Sequence, residues 1–113
     1  MSRKRLIHCT HQPNGDMEWF YGDTLHREDG PAIEHVDGLS VWYFDGKRHR
    51  EDGPAAEYPN GDKVWCIHGK HHRLDGPAIE FGDGRKEWHY NGEKINCNSQ
   101  QEFERIIDLK ALW

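Results

Sequence analysis

Three arginines recur 23 residues apart, Arg27, Arg50 and Arg73, and each directly follows a histidine: His26, His49 and His72. Each pair opens the string HRxDGPA, at 26–32, 49–55 and 72–78. Guanidinium groups at regular spacing can contact phosphates or a partner's carboxylates. They can equally form a salt-bridge ladder to Asp29, Asp52 and Asp75, or to Glu34, Glu57 and Glu80. Phe20 and Tyr43 lie near this column in sequence, where a nucleotide or a single-stranded nucleic acid could stack.

Nine histidines invite a metal reading, and Cys66, His68, His71 and His72 form the densest group. Zinc needs four convergent ligands, and a turn could bring three of these together. The competing reading is a turn or a pH-sensitive surface, since His72 belongs to a column whose other members lack the cluster. No metal and no cofactor is expected. Catalysis has no constellation either: there is no GxSxG, no P-loop, and no Cys–His pair confined to one place. Any His–Asp pair drawn from HRxDG occurs in triplicate, as structural ladders do and active sites seldom do. The chain is expected not to be an enzyme.

Charge narrows the partners. The net charge is −5, and Arg3, Lys4 and Arg5 contribute +3, which leaves −8 on the remainder. An acidic body fits nonspecific nucleic-acid binding poorly and suits a basic protein partner or mimicry of nucleic acid. Three cysteines, Cys9, Cys66 and Cys97, include no CxxC and leave an odd count, as expected of free thiols in a reducing compartment. No apolar run approaches the roughly 18 residues of a membrane span, and the first residues lack a signal-peptide apolar region. A cytoplasmic, unanchored protein is expected, in a host cytoplasm if the chain is phage-encoded. Charged residues make up 31% and mean hydropathy is −1.04, a composition leaning towards disorder. Five Trp and a repeat that never slips oppose that reading and favour an ordered array.

The elements that must position these residues follow from the period. Trp19, Trp42, Trp65 and Trp88 are spaced by 23, as are Gly15, Gly38, Gly61 and Gly84. A fixed period of this size means one supersecondary unit, stacked. Each copy starts at Asn14-Gly15, Asp37-Gly38, Asn60-Gly61 or Asp83-Gly84. Asn-Gly and Asp-Gly are preferred two-residue hairpin loops, with φ > 0 at both positions. Such a loop sets Glu34 across from Val41, Ile33 from Trp42, Ala56 from Trp65 and Ile79 from Trp88. A second turn follows each Trp strand, at Asp45-Gly46, His68-Gly69 and Asn91-Gly92, with Gly22 one residue early in the first copy. HRxDGPA then leads into the next strand, its Asp accepting from backbone N–H groups and its Gly supplying φ > 0.

Strand alternation sorts the faces under that register. Trp19, Tyr21, Trp42, Phe44, Trp65, Ile67, Trp88 and Tyr90 share one side with Ile33, Tyr58, Ile79 and Phe81, the expected core. The opposite side is mixed and is the expected partner surface. It carries Phe20, Val41, Tyr43, Val64 and Cys66, with Glu34, Glu57 and Glu80 across from them. The fourth copy breaks the pattern. Ser99 and Glu102 form a capping box, and Phe103, Ile106, Ile107, Leu109 and Leu112 recur at helical spacing. An amphipathic helix over about 100–112 should cover the last unit's apolar edge or lie on the mixed face, with Trp113 pinned if it docks. The expected fold class is mainly β: an antiparallel β-hairpin repeat of four 23-residue units and about eight strands, with a C-terminal amphipathic capping helix. The organisation is a single domain over 1–113, with an N-terminal strand over 1–13, repeats over 14–98 and the helix over 99–113.

The aromatic strand followed by an Asn/Asp-Gly-Lys turn resembles the MORN repeat, and more closely the variant repeats of YwqK-like antitoxin proteins. WYFDGKRHREDGPA and WCIHGKHHRLDGPA look most like the HRxDGPA subgroup seen in tailed phages and giant viruses. The resemblance covers about 14–97. It implies a stack of β-hairpins that binds proteins, and a phage-type effector that inhibits or regulates a host protein, such as a defence or toxin protein. The leading expectation is therefore a non-enzymatic protein-binding module with a protein partner, no membrane contact, and a monomer or edge-paired homodimer. Nucleic-acid or nucleotide binding through Arg27, Arg50 and Arg73 is the alternative, with nucleic-acid mimicry through Glu34, Glu57, Glu80 and the turn aspartates beside it.

Overall fold

The computed structural model describes residues 7–110. The basic arm at 3–5, Leu6, Leu112 and Trp113 lie outside the described residues. The chain runs through β1 (Ile7–His11), β2 (Met17–Tyr21), β3 (Thr24–Leu25), β4 (Ile33–Glu34), β5 (Ser40–Val41), β6 (Tyr43–Phe44) and β7 (Lys47–Arg48). It continues through β8 (Ala56–Glu57), β9 (Lys63–Val64), β10 (Cys66–Ile67), β11 (Lys70–His71), β12 (Ile79–Glu80), β13 (Lys86–Tyr90) and β14 (Glu93–Ile95) to α1 (Gln100–Lys110). The main sheet is antiparallel in the order β1-β2-β4-β5-β8-β9-β12-β13-β14, with β3 beside β2. The pairs β6–β7 and β10–β11 stand as hairpins of their own. Among the described residues the fold is thus mainly β with one C-terminal helix, and the sheet is open rather than a barrel.

The two turns of each unit differ, and the difference corrects the expected register. At the second turn both central residues have positive φ: 51° and 79° at Asp45-Gly46, 48° and 83° at His68-Gly69, 49° and 87° at Asn91-Gly92. Those are two-residue loops of the primed type. At the first turn only the glycine is left-handed, with φ 104° at Gly38. His35 N–H donates to Leu39 O and Gly38 N–H to His35 O, which closes a three-residue loop. The preceding Asn or Asp drives this choice. Its side-chain oxygen accepts the backbone N–H two residues on, from Asp16, Leu39, Asp62 and Arg85 in turn.

One extra loop residue slips every pairing by one and exchanges the faces. Ile33 lies opposite Val41, not Trp42; Ala56 opposite Val64, not Trp65; Ile79 opposite Glu87, not Trp88. Cys9, not Thr10, faces Trp19. One cross-strand row therefore reads Ile33, Val41, Ala56, Val64, Ile79 and is bracketed by Glu18 and Glu87. That row is the core: Val41, Ala55, Ala56, Val64 and Cys66 are buried, with Leu39, Tyr43 and Tyr58 packed on them. The adjacent row reads Glu34, Ser40, Glu57, Lys63, Glu80, Lys86 and belongs to the other side. Opposite charges stand next to one another along its later half.

The helix closes the far end as expected. Glu102 N–H donates to Ser99 Oγ at 3.2 Å, the capping contact. Phe103 is buried with Trp88 and Ile95, and Ile106 and Ile107 pack against them. Gln100 stands where the earlier copies have the proline of HRxDGPA, and its Oε1 accepts from Trp88 Nε1 at 2.8 Å.

Candidate functional site: a row of tryptophan-floored grooves

Trp19, Trp42 and Trp65 each sit at the junction between the two hairpins of a unit. The Trp N–H groups donate to Ala32, Ala55 and Ala78 O at 2.6–2.7 Å, and the Trp carbonyls accept from His26, His49 and His72 N–H. All three are half-buried, and Trp42 packs against the edge of the core cluster. Each carries a guanidinium: Arg27 at 3.8 Å from the ring centroid, Arg50 at 4.2 Å and Arg73 at 3.8 Å. The same arginines donate through Nε to Asp29, Asp52 and Asp75 Oδ1 at 2.9–3.1 Å. They also donate to the carbonyls of Pro31, Pro54 and Pro77 at 3.1–3.2 Å. Arg27 reaches Glu34 at 3.5 Å and Arg73 reaches Glu80 at 2.8 Å, while Glu57 lies opposite Lys63.

The Arg column is therefore a set of structural brackets. Its pairing with Arg50 also holds the Asp52 carboxyl below the usual carboxylate range. The glycine of each HRxDGPA makes room for the bracket. A Cβ on Gly30, Gly53 or Gly76 would lie 2.8, 2.7 or 2.6 Å from the arginine Cζ. The expectation that these glycines supply φ > 0 is corrected: they do not adopt it, and the guanidinium instead lies where their Cβ would be.

The histidine column joins one unit to the next. His26 Nδ1 accepts from Asp45 N–H, His49 Nδ1 from His68 N–H and His72 Nδ1 from Asn91 N–H, each at 2.9 Å. Arg27 N–H donates to Tyr43 O and Gly46 N–H to Leu25 O across the same seam. The rings continue the ladder. His26 lies 4.5 Å from Phe44, and His49 stacks on His68 at 4.4 Å. The residues of the candidate metal cluster are thus separately engaged. His68 stacks on His49, His72 is bonded to Asn91, and Cys66 is in the core opposite His71. Among the described residues no group of three His, Cys, Asp or Glu is placed to hold a metal ion.

Three grooves run along the HRxDGPA loops: one of about 450 Å³ between Ile7 of β1 and the first loop, and two of about 640 and 590 Å³ between successive loops. Trp19 with Tyr21, Trp42 with Phe44, and Trp65 with Ile67 line them in turn. Arg27, Glu28 and Asp29 form the wall shared by the first and second, and Arg50, Glu51 and Asp52 the wall shared by the second and third. Shared walls make the three a continuous row. Asp29 and Asp52 are 88% and 82% exposed, and Glu28 and Glu51 are 74% and 82% exposed, so carboxylates crowd the mouths. In the third copy Leu74 replaces the glutamate and is itself exposed.

The expected partner surface fares differently. Val41, Val64 and Cys66 are 3%, 8% and 1% exposed and form the interior, because the one-residue slip turns their side of the sheet inward. Tyr43 packs against them, beside Arg48, whose charge is favoured by a hydrogen bond to the Tyr43 side chain. Phe20 stacks on His8 at 5.6 Å, away from that cluster. Glu34 and Glu80 serve the arginine brackets. Sequence reasoning named the Arg column but missed Glu28, Glu51 and Phe44 as surface residues. Their signal was the x of HRxDGPA, acidic in two copies, and the aromatic two positions after Trp. No helix among the described residues is long and apolar enough to cross a membrane. Comparison with family models, with curated proteins and with solved structures finds no match for this chain.

Proposed function

We propose that this chain is a non-enzymatic protein-binding module of the MORN-type repeat class, a small effector that holds a host protein through the row of grooves. The observation that carries the reading is the row itself. Three adjoining clefts repeat one aromatic floor, and their walls present carboxylates to solvent. Aromatic anchors rimmed by polar groups are the make-up of interface hot spots. The guanidinium groups that would read a phosphate backbone are held by aspartates, proline carbonyls and indoles, which weighs against the nucleic-acid alternative. Mimicry of nucleic acid keeps support of its own, since exposed Glu28, Asp29, Glu51 and Asp52 could meet a basic protein. Both readings require a partner with a basic surface.

Capture from a host lysate by the wild type, by Phe44→Ser and by a Val36→Ser control remote from the grooves tests the reading. The expected result is one captured protein, lost with Phe44→Ser and kept with Val36→Ser, with both variants still folded at the temperature of capture by circular dichroism. Equal capture by all three would place the contact surface elsewhere. Competition of the captured protein by DNA or RNA separates mimicry from a simple protein contact.

A further inference from the structure

The groove row also carries information about the shape of what lies in it; this step rests on the protein-binding reading. Consecutive grooves are two strands apart in the sheet, since β4 separates β2 from β5 and β8 separates β5 from β9. Strands lie about 4.8 Å apart, so equivalent points in neighbouring grooves repeat at about 9.6 Å. A ligand crossing the strands meets an identical environment at that interval.

The ligand's charge follows from the walls. The central groove has four carboxylates against two guanidinium groups, and each guanidinium is already bound to an aspartate of its own loop. Glu28 and Glu51 lie 3.6 and 3.7 Å from His26 and His49 and face solvent. An ammonium or guanidinium entering here meets the exposed carboxylates of Glu28 and Glu51 beside the ring of Phe44, the Trp42 indole already carrying Arg50. The third groove has Leu74 in place of a glutamate, so an exposed apolar side chain stands there beside Glu51, Asp52 and Asp75.

The ligand's conformation follows from the interval. An extended β-strand returns a side chain to the same face every 6.7 Å or so, which does not match. A polyproline II chain has three residues per turn and repeats at about 9.3 Å, which does. Grooves lined by aromatic side chains are also the usual seats for that conformation. We infer that the row of grooves binds a polyproline II segment of a partner protein with Lys or Arg at every third residue. One basic side chain enters each acidic groove, and an apolar residue lies towards Leu74.

Calorimetry with synthetic peptides tests the inference. One peptide carries Lys at positions 1, 4 and 7 of a proline-rich chain. Its isomer carries the same residues with Lys at 1, 3 and 5. A third, alanine-based and helical, carries Lys at 1 and 8, a spacing of about 10.5 Å. The expected result is that the first binds at least about tenfold more tightly than either other, and that Glu51→Gln reduces its affinity several-fold. Its affinity should also fall as salt rises from about 0.05 to 0.5 M. Equal affinity for the first two peptides would overturn the triplet spacing, and tighter binding of the helix would overturn the conformation. Binding of none would overturn the basic ligand. Loss of lysate capture in Phe44→Ser is read independently of all three outcomes, so the protein-binding reading stands or falls apart from them.

Discussion

At the scale of single residues, the repeated string is a set of interlocking contacts. Arginine, indole, aspartate and glycine occupy one small volume, so none can change alone. Gly53→Ala should destabilise by about 1–3 kcal/mol in denaturant titrations, because its methyl would meet the Arg50 guanidinium. In an Arg50→Ala background the same substitution should cost measurably less, a coupling of at least about 0.5 kcal/mol. Strict additivity would show that the two do not share that space. Histidine supplies a second residue-scale prediction. Burial pushes the imidazoles of His71 and His72 below the ordinary histidine range. The neighbouring His89 ring and Arg48 lower His71 further, and only Glu87 opposes them. A depressed folded-state value means that the unfolded chain takes up protons more readily. The stabilisation is therefore complete above about pH 6.5, the unfolded value, and is lost as pH falls below it. Melting temperature should drop between pH 7.5 and 5.5, and His71→Gln should flatten the slope. A melting temperature independent of pH over that interval would contradict this.

At the scale of elements, much was legible and one step was not. The period, both turns, the helix and its Ser99 cap can all be read from residue type and spacing. The register could not, because Asp-Gly suits a primed two-residue loop and also a three-residue loop with a left-handed glycine. The side-chain oxygen of Asn14, Asp37, Asn60 and Asp83 decides the matter locally, by taking the N–H two residues on. That single residue of slip moved Val41, Val64 and Cys66 from expected surface to core and brought Trp19, Trp42 and Trp65 to the grooves. A clue was present in the small residues Ala55 and Ala56, which leave room for a buried valine row. The fourth unit shows the contrast. Trp88 is 7% exposed beneath α1, whereas its three counterparts line open clefts. Trp88→Ala should cost about 3–5 kcal/mol and Trp19→Ala distinctly less, by chemical denaturation. Equal losses would mean that the helix does not seal the array.

At the scale of the whole molecule, the slab is thin, with Cα extents of 46 × 41 × 17 Å, and the units follow one another across the main sheet in chain order. Stability in such arrays is roughly a sum of unit and interface contributions. Duplicating residues 46–68 in place should therefore yield a folded chain with a higher melting temperature and a fourth groove. A chain that unfolds at a lower temperature would show that the present number of units is fixed by something other than nearest-neighbour packing.

Cys66 makes this architecture observable from within. It is 1% exposed, in the buried cluster with Val41 and Val64, and burial raises its thiol above the ordinary cysteine value. A thiol so placed reacts only when the middle of the sheet parts from its neighbours. Alkylation of Cys66 should therefore lag that of Cys9 and Cys97 by about two orders of magnitude or more, and the lag gives the free energy of parting. The molecule carries its own probe for whether an occupied row of grooves holds the slab shut: saturating ligand should slow the labelling of Cys66 and leave Cys9 unchanged.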